Sequence, residues 1–245
     1  MNGTAVALFL LSTFVGGVTT GLAGFALGLV VSGVWLHIMS PVESATLIVG
    51  YSLVSQGFGI WQVRRAFDWR AVAPYVIGGI FGAPLGTALL AYISPAAMRI
   101  GIGLFLIVYS AYGLARPAFW PGRVGVATEA AVGFLNGLIG GLTGLVGVLI
   151  AAWCHVRGFA KDVQRSIFQP VTLAAGAMSM ASLAVAGAVT VETVKLYLIG
   201  VPVLLVGLWS GFHLYGKLDD AAFRKVILVL LLLSGLALLA PLSSL

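Results

Sequence analysis

The chain has 245 residues, 60% of them hydrophobic and 8% charged, with a mean hydropathy of +1.11. A soluble domain carries about 25% charged residues, so composition excludes an ordinary soluble fold and indicates a polytopic membrane protein. The formal charge of +6 comes from basic residues scattered among short loops, without the basic patch of a nucleic-acid binder. The single cysteine, Cys154, excludes an internal disulfide and a Cys-based zinc site.

The N-terminus is apolar from Ala5 onward but lacks a basic start and a small-residue cleavage site, so no signal peptide is expected. The first segment, 4–37, carries GLAGFALG from Gly21 to Gly28. It is too long for one ordinary span and short for two. Split at its glycines it gives two arms of about 14 residues, roughly 21 Å each at 1.5 Å per residue, less than the roughly 30 Å of hydrocarbon. A re-entrant hairpin is expected. Ser40-Pro41-Val42-Glu43 then reads as an N-cap, a proline at the first helical position and a capping-box glutamate. Apolar runs at 45–63, 71–93 and 98–115 follow, the second opened by Asp68 and the third by Ser94-Pro95.

After a basic stretch, 127–156 repeats the character of the first segment, with GLTGLVGV from Gly141. Three further runs follow at 166–188, 193–215 and 223–241, the last opened by Asp219-Asp220. Ala45-Thr46-Leu47 aligns with Arg165-Ser166-Ile167, Ser52 with Thr172, Gly82 and Gly86 with Gly207 and Gly211, and Ala96-Ala97-Met98-Arg99 with Ala221-Ala222-Phe223-Arg224. A single crossing by each glycine-broken segment would split the basic residues evenly between the two faces. If each enters and leaves on one face, only Arg99 and Lys195 of the 13 lie outside, as the positive-inside rule requires. Two short full spans per segment would give the same parity.

The expected fold is therefore an all-α polytopic membrane protein built from two inverted repeats. Each is a glycine-broken re-entrant hairpin plus three transmembrane helices: 1–115, a cytoplasmic linker at 116–126, and 127–245. An odd number of crossings per unit turns the second upside down and leaves both termini outside the cytoplasm.

The glycine-rich breaks, the full repeat, and above all Gly137-Leu-Ile-Gly-Gly-Leu-Thr-Gly144 followed by Arg165-Ser-Ile-Phe-Gln169 resemble the TauE/SafE family of sulfite and organosulfonate exporters. The similarity covers nearly the whole chain, although Gly24-Phe25-Ala26-Leu27-Gly28 departs from the family's usual run of adjacent glycines. The resemblance implies a secondary transporter that exports small sulfur-containing anions or related organic acids across the inner membrane. The alternative is an anion channel of the same architecture.

Irregular backbone at membrane depth is tolerated only where it is buried or lines a cavity. Half-helix N-termini there can cradle an anion with unpaired N–H groups. The tip candidates are Thr20, Gly21, Gly24 and Gly28 in the first half, and Gly141, Thr143, Gly144 and Gly147 in the second. Small residues at four-residue spacing also let helices approach closely, the reading preferred for Gly78-Gly82-Gly86 and Gly207-Gly211. Among polar side chains, Gln56 and Gln169 are the preferred ligands, with Ser52, Asn136 and Thr172 beside them. Arg165 is the one cation considered for anion contact, against the plainer expectation that it pairs with Asp162. Trp35-x-His37 and Trp153-x-His155 read as interfacial aromatics.

All seven carboxylates fall at or near loops, so an acidic proton relay at depth is not expected. There is no HExxH, no GxSxG and no deep carboxylate pair, hence no enzyme, cofactor or metal site is expected. The partners are a small anionic substrate and the lipid bilayer. The sequence leaves the oligomeric state open, a homodimer included.

Overall fold

The computed structural model describes residues 3–63, 68–89, 95–115, 124–143, 147–185 and 187–239, and among these every regular element is an α-helix. The first segment is two helices, α1 (Gly3–Ala23) and α2 (Leu27–Ile38), parted at Gly24, Phe25 and Ala26. The runs that follow are α3 (Pro41–Val63), α4 (Trp69–Leu89) and α5 (Pro95–Ala115). The second half repeats the order with α6 (Val126–Thr143), α7 (Val148–Val156), α8 (Lys161–Val185), α9 (Val191–Lys217) and α10 (Asp220–Leu239). Three helices, α1, α8 and α9, are by length and composition able to cross a membrane on their own.

Local chemistry sets several of these ends. Ser40 N and Oγ both donate to Glu43 Oε2, at 2.9 and 2.7 Å, and Glu43 N donates back to Ser40 Oγ at 3.3 Å, which is the expected capping box. Asp68 accepts from Arg70 N at 2.9 Å, and Asp219 from Ala222 N at 2.7 Å. The Ser94 signal lies outside the described residues.

The broken segments differ from expectation in two respects: their arms are unequal, and α1 does not stop short of a full crossing but is long enough to span a membrane. α1 has 21 residues against 12 in α2, and α6 has 18 against 9 in α7. Glycine costs a helix up to about 1 kcal/mol per residue, yet Gly16, Gly17 and Gly21 all remain helical. Gly17 and Gly21 lie against the α9 backbone, where a Cβ on Gly17 would come 2.8 Å from Leu204 O and one on Gly21 2.9 Å from Gly211 Cα. The helix stops only where Gly24 takes φ +94, a conformation that costs an L side chain roughly 1–2 kcal/mol. Gly147 ends the second break in the same way, with φ +99.

Close glycine packing sets the helix pairing. α1 runs parallel to α9 through Gly17–Gly207 and Gly21–Gly211, and α6 runs parallel to α4 through Gly133–Tyr75 and Gly137–Gly79. The expectation that Gly78, Gly82, Gly86, Gly207 and Gly211 serve packing agrees with these contacts. α3 lies antiparallel to α8, with Gly59 at Gln169, Leu53 at Gly176 and Gly50 at Met180. α5 lies antiparallel to α10, with Gly103 at Gly235 and Gly113 at Leu228. These principal pairings are unchanged when the five helices on either side of residues 116–125 are exchanged.

Trp35 is corrected by its burial. It is fully buried rather than interfacial, donating from Nε1 to Ser12 Oγ at 2.9 Å and packing on Phe9 and Tyr51. A large ring with one N–H is well placed in a core when that N–H finds an acceptor. Trp153 is half-buried and donates to Tyr75 Oη at 3.0 Å. His155 is buried edge-on to Tyr109, and the His37 side chain lies outside the described residues.

Candidate anion site between two helix breaks

The two breaks meet. A Cβ placed on Gly147 would sit 3.5 Å from Phe25 Cβ and 2.7 Å from Thr172 Oγ1. On the other side of the contact, Gly24 lies on the Phe168 ring, and Phe168 meets Phe25 edge to face at 6.1 Å. The tips of both hairpins thus converge on α8 between Phe168 and Thr172, with α3 alongside.

At the first break the freed groups are carbonyls. Gln56 Nε2 donates to Gly24 O at 2.9 Å, and Arg165 Nη2 donates to both Gly21 O and Leu22 O. A cation there also meets the negative end of α1. Arg165 is fully buried although it stands one turn into α8. Its guanidinium carbon lies 4.4 Å from the centre of the Phe212 ring and 3.9 Å from that of Tyr215. Such aromatic faces attract a desolvated cation. Asp162 is not its ion-pair partner; that carboxylate accepts the Tyr215 hydroxyl.

At the second break the freed group is a donor. Asn136 Oδ1 accepts from Ile150 N at 3.2 Å, which ties the first turn of α7 to α6. α2 has no side-chain cap at all, so its first N–H groups rely on other partners.

The remaining polar atoms share one property. Thr20 Oγ1, Gln56 Oε1, Asn136 Nδ2, Gln169 Oε1, Thr172 Oγ1, and Arg165 Nε and Nη1 are buried without a hydrogen-bond partner among the described residues. Buried polar groups are almost always satisfied, and each one left alone costs about 1–3 kcal/mol. Seven such atoms, both donors and acceptors, stand on the residues around the two meeting helix breaks.

Placement varies among the other candidates. Gly28 is buried in the first turn of α2 against Ile48, and Gly21 is taken up by packing on α9 while its carbonyl serves Arg165. Ser52 is half-buried one turn before Gln56, Gly141 is half-buried in the last turn of α6, and the Gln169 amide covers Gly59. The Thr143 side chain and Gly144 lie outside the described residues. The sequence reading missed the rings that surround the arginine, Phe212, Tyr215 and Phe223. For Phe212 and Tyr215 the local signal is an aromatic every third residue near the end of a span, which reads equally as an interfacial belt.

A cavity of about 430 Å³ lies elsewhere, between α3, α8 and α9, lined by Thr46, Gly50, Leu53, Met180, Thr193 and Tyr197 among others. None of the break residues borders it, and its walls are apolar.

The sulfite exporter TauE/SafE profile matches residues 8–238, from the first hairpin to the last helix. The chain belongs to the TauE/SafE family. TauE/SafE proteins are membrane exporters rather than enzymes. The chain is also 24% identical over 224 residues to a probable sulfite/organosulfonate exporter TauE of Cupriavidus necator, covering 89% of this chain and 87% of that protein. No solved structure gives a significant match.

Proposed function

We infer that this TauE/SafE protein is a secondary transporter exporting sulfite, sulfonates or related small oxoanions, held between the two hairpin tips. The observation that carries the reading is the set of unpartnered buried donors on Thr20, Asn136, Arg165 and Thr172 around the contact of Phe25 with Gly147. Arg165, Asn136 and the two threonines supply donors for oxyanion oxygens, and the α2 N-terminus adds a partial positive charge. Gly24 and Gly147 let the backbone reverse within reach of the solute.

The repeat is inverted in this reading. Support comes from the antiparallel pairing of α3 with α8 and of α5 with α10, the helices that occupy equivalent places in the two halves. A pseudo-two-fold axis in the membrane plane relates such halves, and the solute lies where they meet. Both termini are then outside the cytoplasm, in a multi-pass protein of the inner membrane. The hairpins enter from opposite faces and return.

Purified protein should be stabilised against heat by sulfite, sulfoacetate or taurine more than by simple carboxylates or chloride. No shift with any sulfur oxyanion would overturn the reading. In proteoliposomes, efflux should saturate and follow a valinomycin-imposed potential, because a monoanion leaving a negative interior gains about 2.3 kcal/mol per 100 mV. Flux that ignores the potential and follows only a proton gradient would remove the potential drive. Unitary currents would make the protein a channel.

A further inference from the structure

The geometry points to Arg165 as a latch that an oxoanion must open: the solute takes the guanidinium by displacing the α1 carbonyls now bound to it. This inference rests on the oxoanion-transport reading above. A guanidinium offers an oxyanion two forked faces, Nε–H with Nη2–H and Nη1–H with Nη2–H, and a fork is its strong mode of binding. Both forks use Nη2. Here Nη2 is committed to Gly21 O and Leu22 O, while Nε and Nη1 are buried and without partners. The two nitrogens left over are not a pair that one sulfur oxyanion can grip together.

A two-pronged grip therefore requires at least one of the carbonyls to be released. Those carbonyls are the last turn of α1, which ends at Ala23 immediately before the positive-φ Gly24. Releasing them frees the tip of the first hairpin from α8. Two further features suit a group that exchanges partners. The rings of Phe212, Tyr215 and Phe223 hold the charge without taking any N–H, with centroids 4.4, 3.9 and 5.9 Å from the guanidinium carbon. The Tyr215 ring is itself fixed by its hydroxyl on Asp162. The second hairpin has no counterpart, because the residue aligned with Arg165 is Ala45. The coupling belongs to one half of the molecule, and it explains how arrival of solute loosens a tip that is otherwise locked.

The test is hydrogen–deuterium exchange on the purified full chain in nanodiscs, with and without sulfite, using chloride at equal ionic strength as the single-point anion. Sulfite should raise exchange severalfold in peptides covering residues 18–28 and leave the α6–α7 break unchanged or protected, and chloride should change exchange at neither break. Arg165→Lys, which keeps the charge and loses the fork, should bind sulfite roughly tenfold more weakly, about 1.4 kcal/mol, and abolish the sulfite-dependent rise. If sulfite stabilises the wild-type protein but slows or does not change exchange at 18–28, the latch is wrong and the transport reading stands. If no sulfur oxyanion stabilises the protein, both fall. The wild-type experiment decides the matter even if the lysine variant does not fold.

Discussion

The two hairpin breaks look alike in sequence and are tied down in opposite ways. At Gly24 the surrounding side chains are donors, Gln56 and Arg165, and they engage the carbonyls that α1 leaves free. At Gly147 the neighbour is an acceptor, Asn136 Oδ1, and it engages an N–H of α7. The first tip thus carries the fixed positive charge and an uncapped α2 N-terminus, whereas the second has one α7 N–H taken up by Asn136 of α6. A repeat that is symmetric in its helices is chemically one-sided at its centre.

The largest effect should come from deleting the cation. Arg165→Ala leaves two buried carbonyls unpaired, and because a hydrogen bond to a charged group is worth about 1.5–3 kcal/mol, melting should drop sharply and sulfite efflux should cease. An unchanged melt would mean the first tip is not held as described.

Next comes the backbone itself. Gly24→Ala and Gly147→Ala each face a positive-φ penalty of about 1–2 kcal/mol, with Phe168 or Thr172 in the way. Gly57→Ala, with nothing within 4 Å of its Cβ, should stay within about 0.5 kcal/mol of wild type. Equal losses at all three positions would show that the breaks are not special.

The amides separate the tips more finely. Gln169→Ala should weaken sulfite binding and leave stability nearly intact. Gln56→Ala should weaken both, since it also releases Gly24 O. Asn136→Ala should cost about 1 kcal/mol through the orphaned Ile150 N–H, and a thermal melt beside a binding titration distinguishes the three.

The smallest effect belongs to the α3 cap. Ser40→Ala should cost about 1 kcal/mol or less and leave transport unchanged. The Glu43 carboxyl is held below its ordinary pKa of 4.5 first by the Ser40 hydroxyl and then by the Ser40 backbone N–H. A lowered folded-state pKa means the box contributes fully above the unfolded value and is lost as pH falls through the folded one. Acid sensitivity of α3 should therefore be milder in the Ser40→Ala variant, by exchange at its first turn.

Much of the fold was legible because it depends on neighbours in sequence. Helix starts at Ser40, Asp68 and Asp219 follow from side chains reaching two or three residues along, and helix extent follows from unbroken apolar runs. Thr20, Gln56, Asn136, Gln169 and Thr172 stand out in the sequence as polar residues in apolar surroundings, and the structure buries all five. Trp35 was misread because an aromatic near the end of an apolar run carries no local mark of what it packs against.

The chain alone pointed to breaks in 4–37 and 127–156, because central glycines interrupt apolar runs too long for one ordinary span, and it pointed to the family through residues spread along nearly its whole length. Only the tertiary structure decided which glycines bend and which pack. Gly21 stays helical because α9 comes against it, while Gly24 turns where Phe168 leaves room for no side chain. It also decided the role of Arg165, whose partners at Gly21 and Leu22 stand in the other half of the sequence. Contacts made between such distant residues are set by how whole helices stack, and no local pattern encodes them.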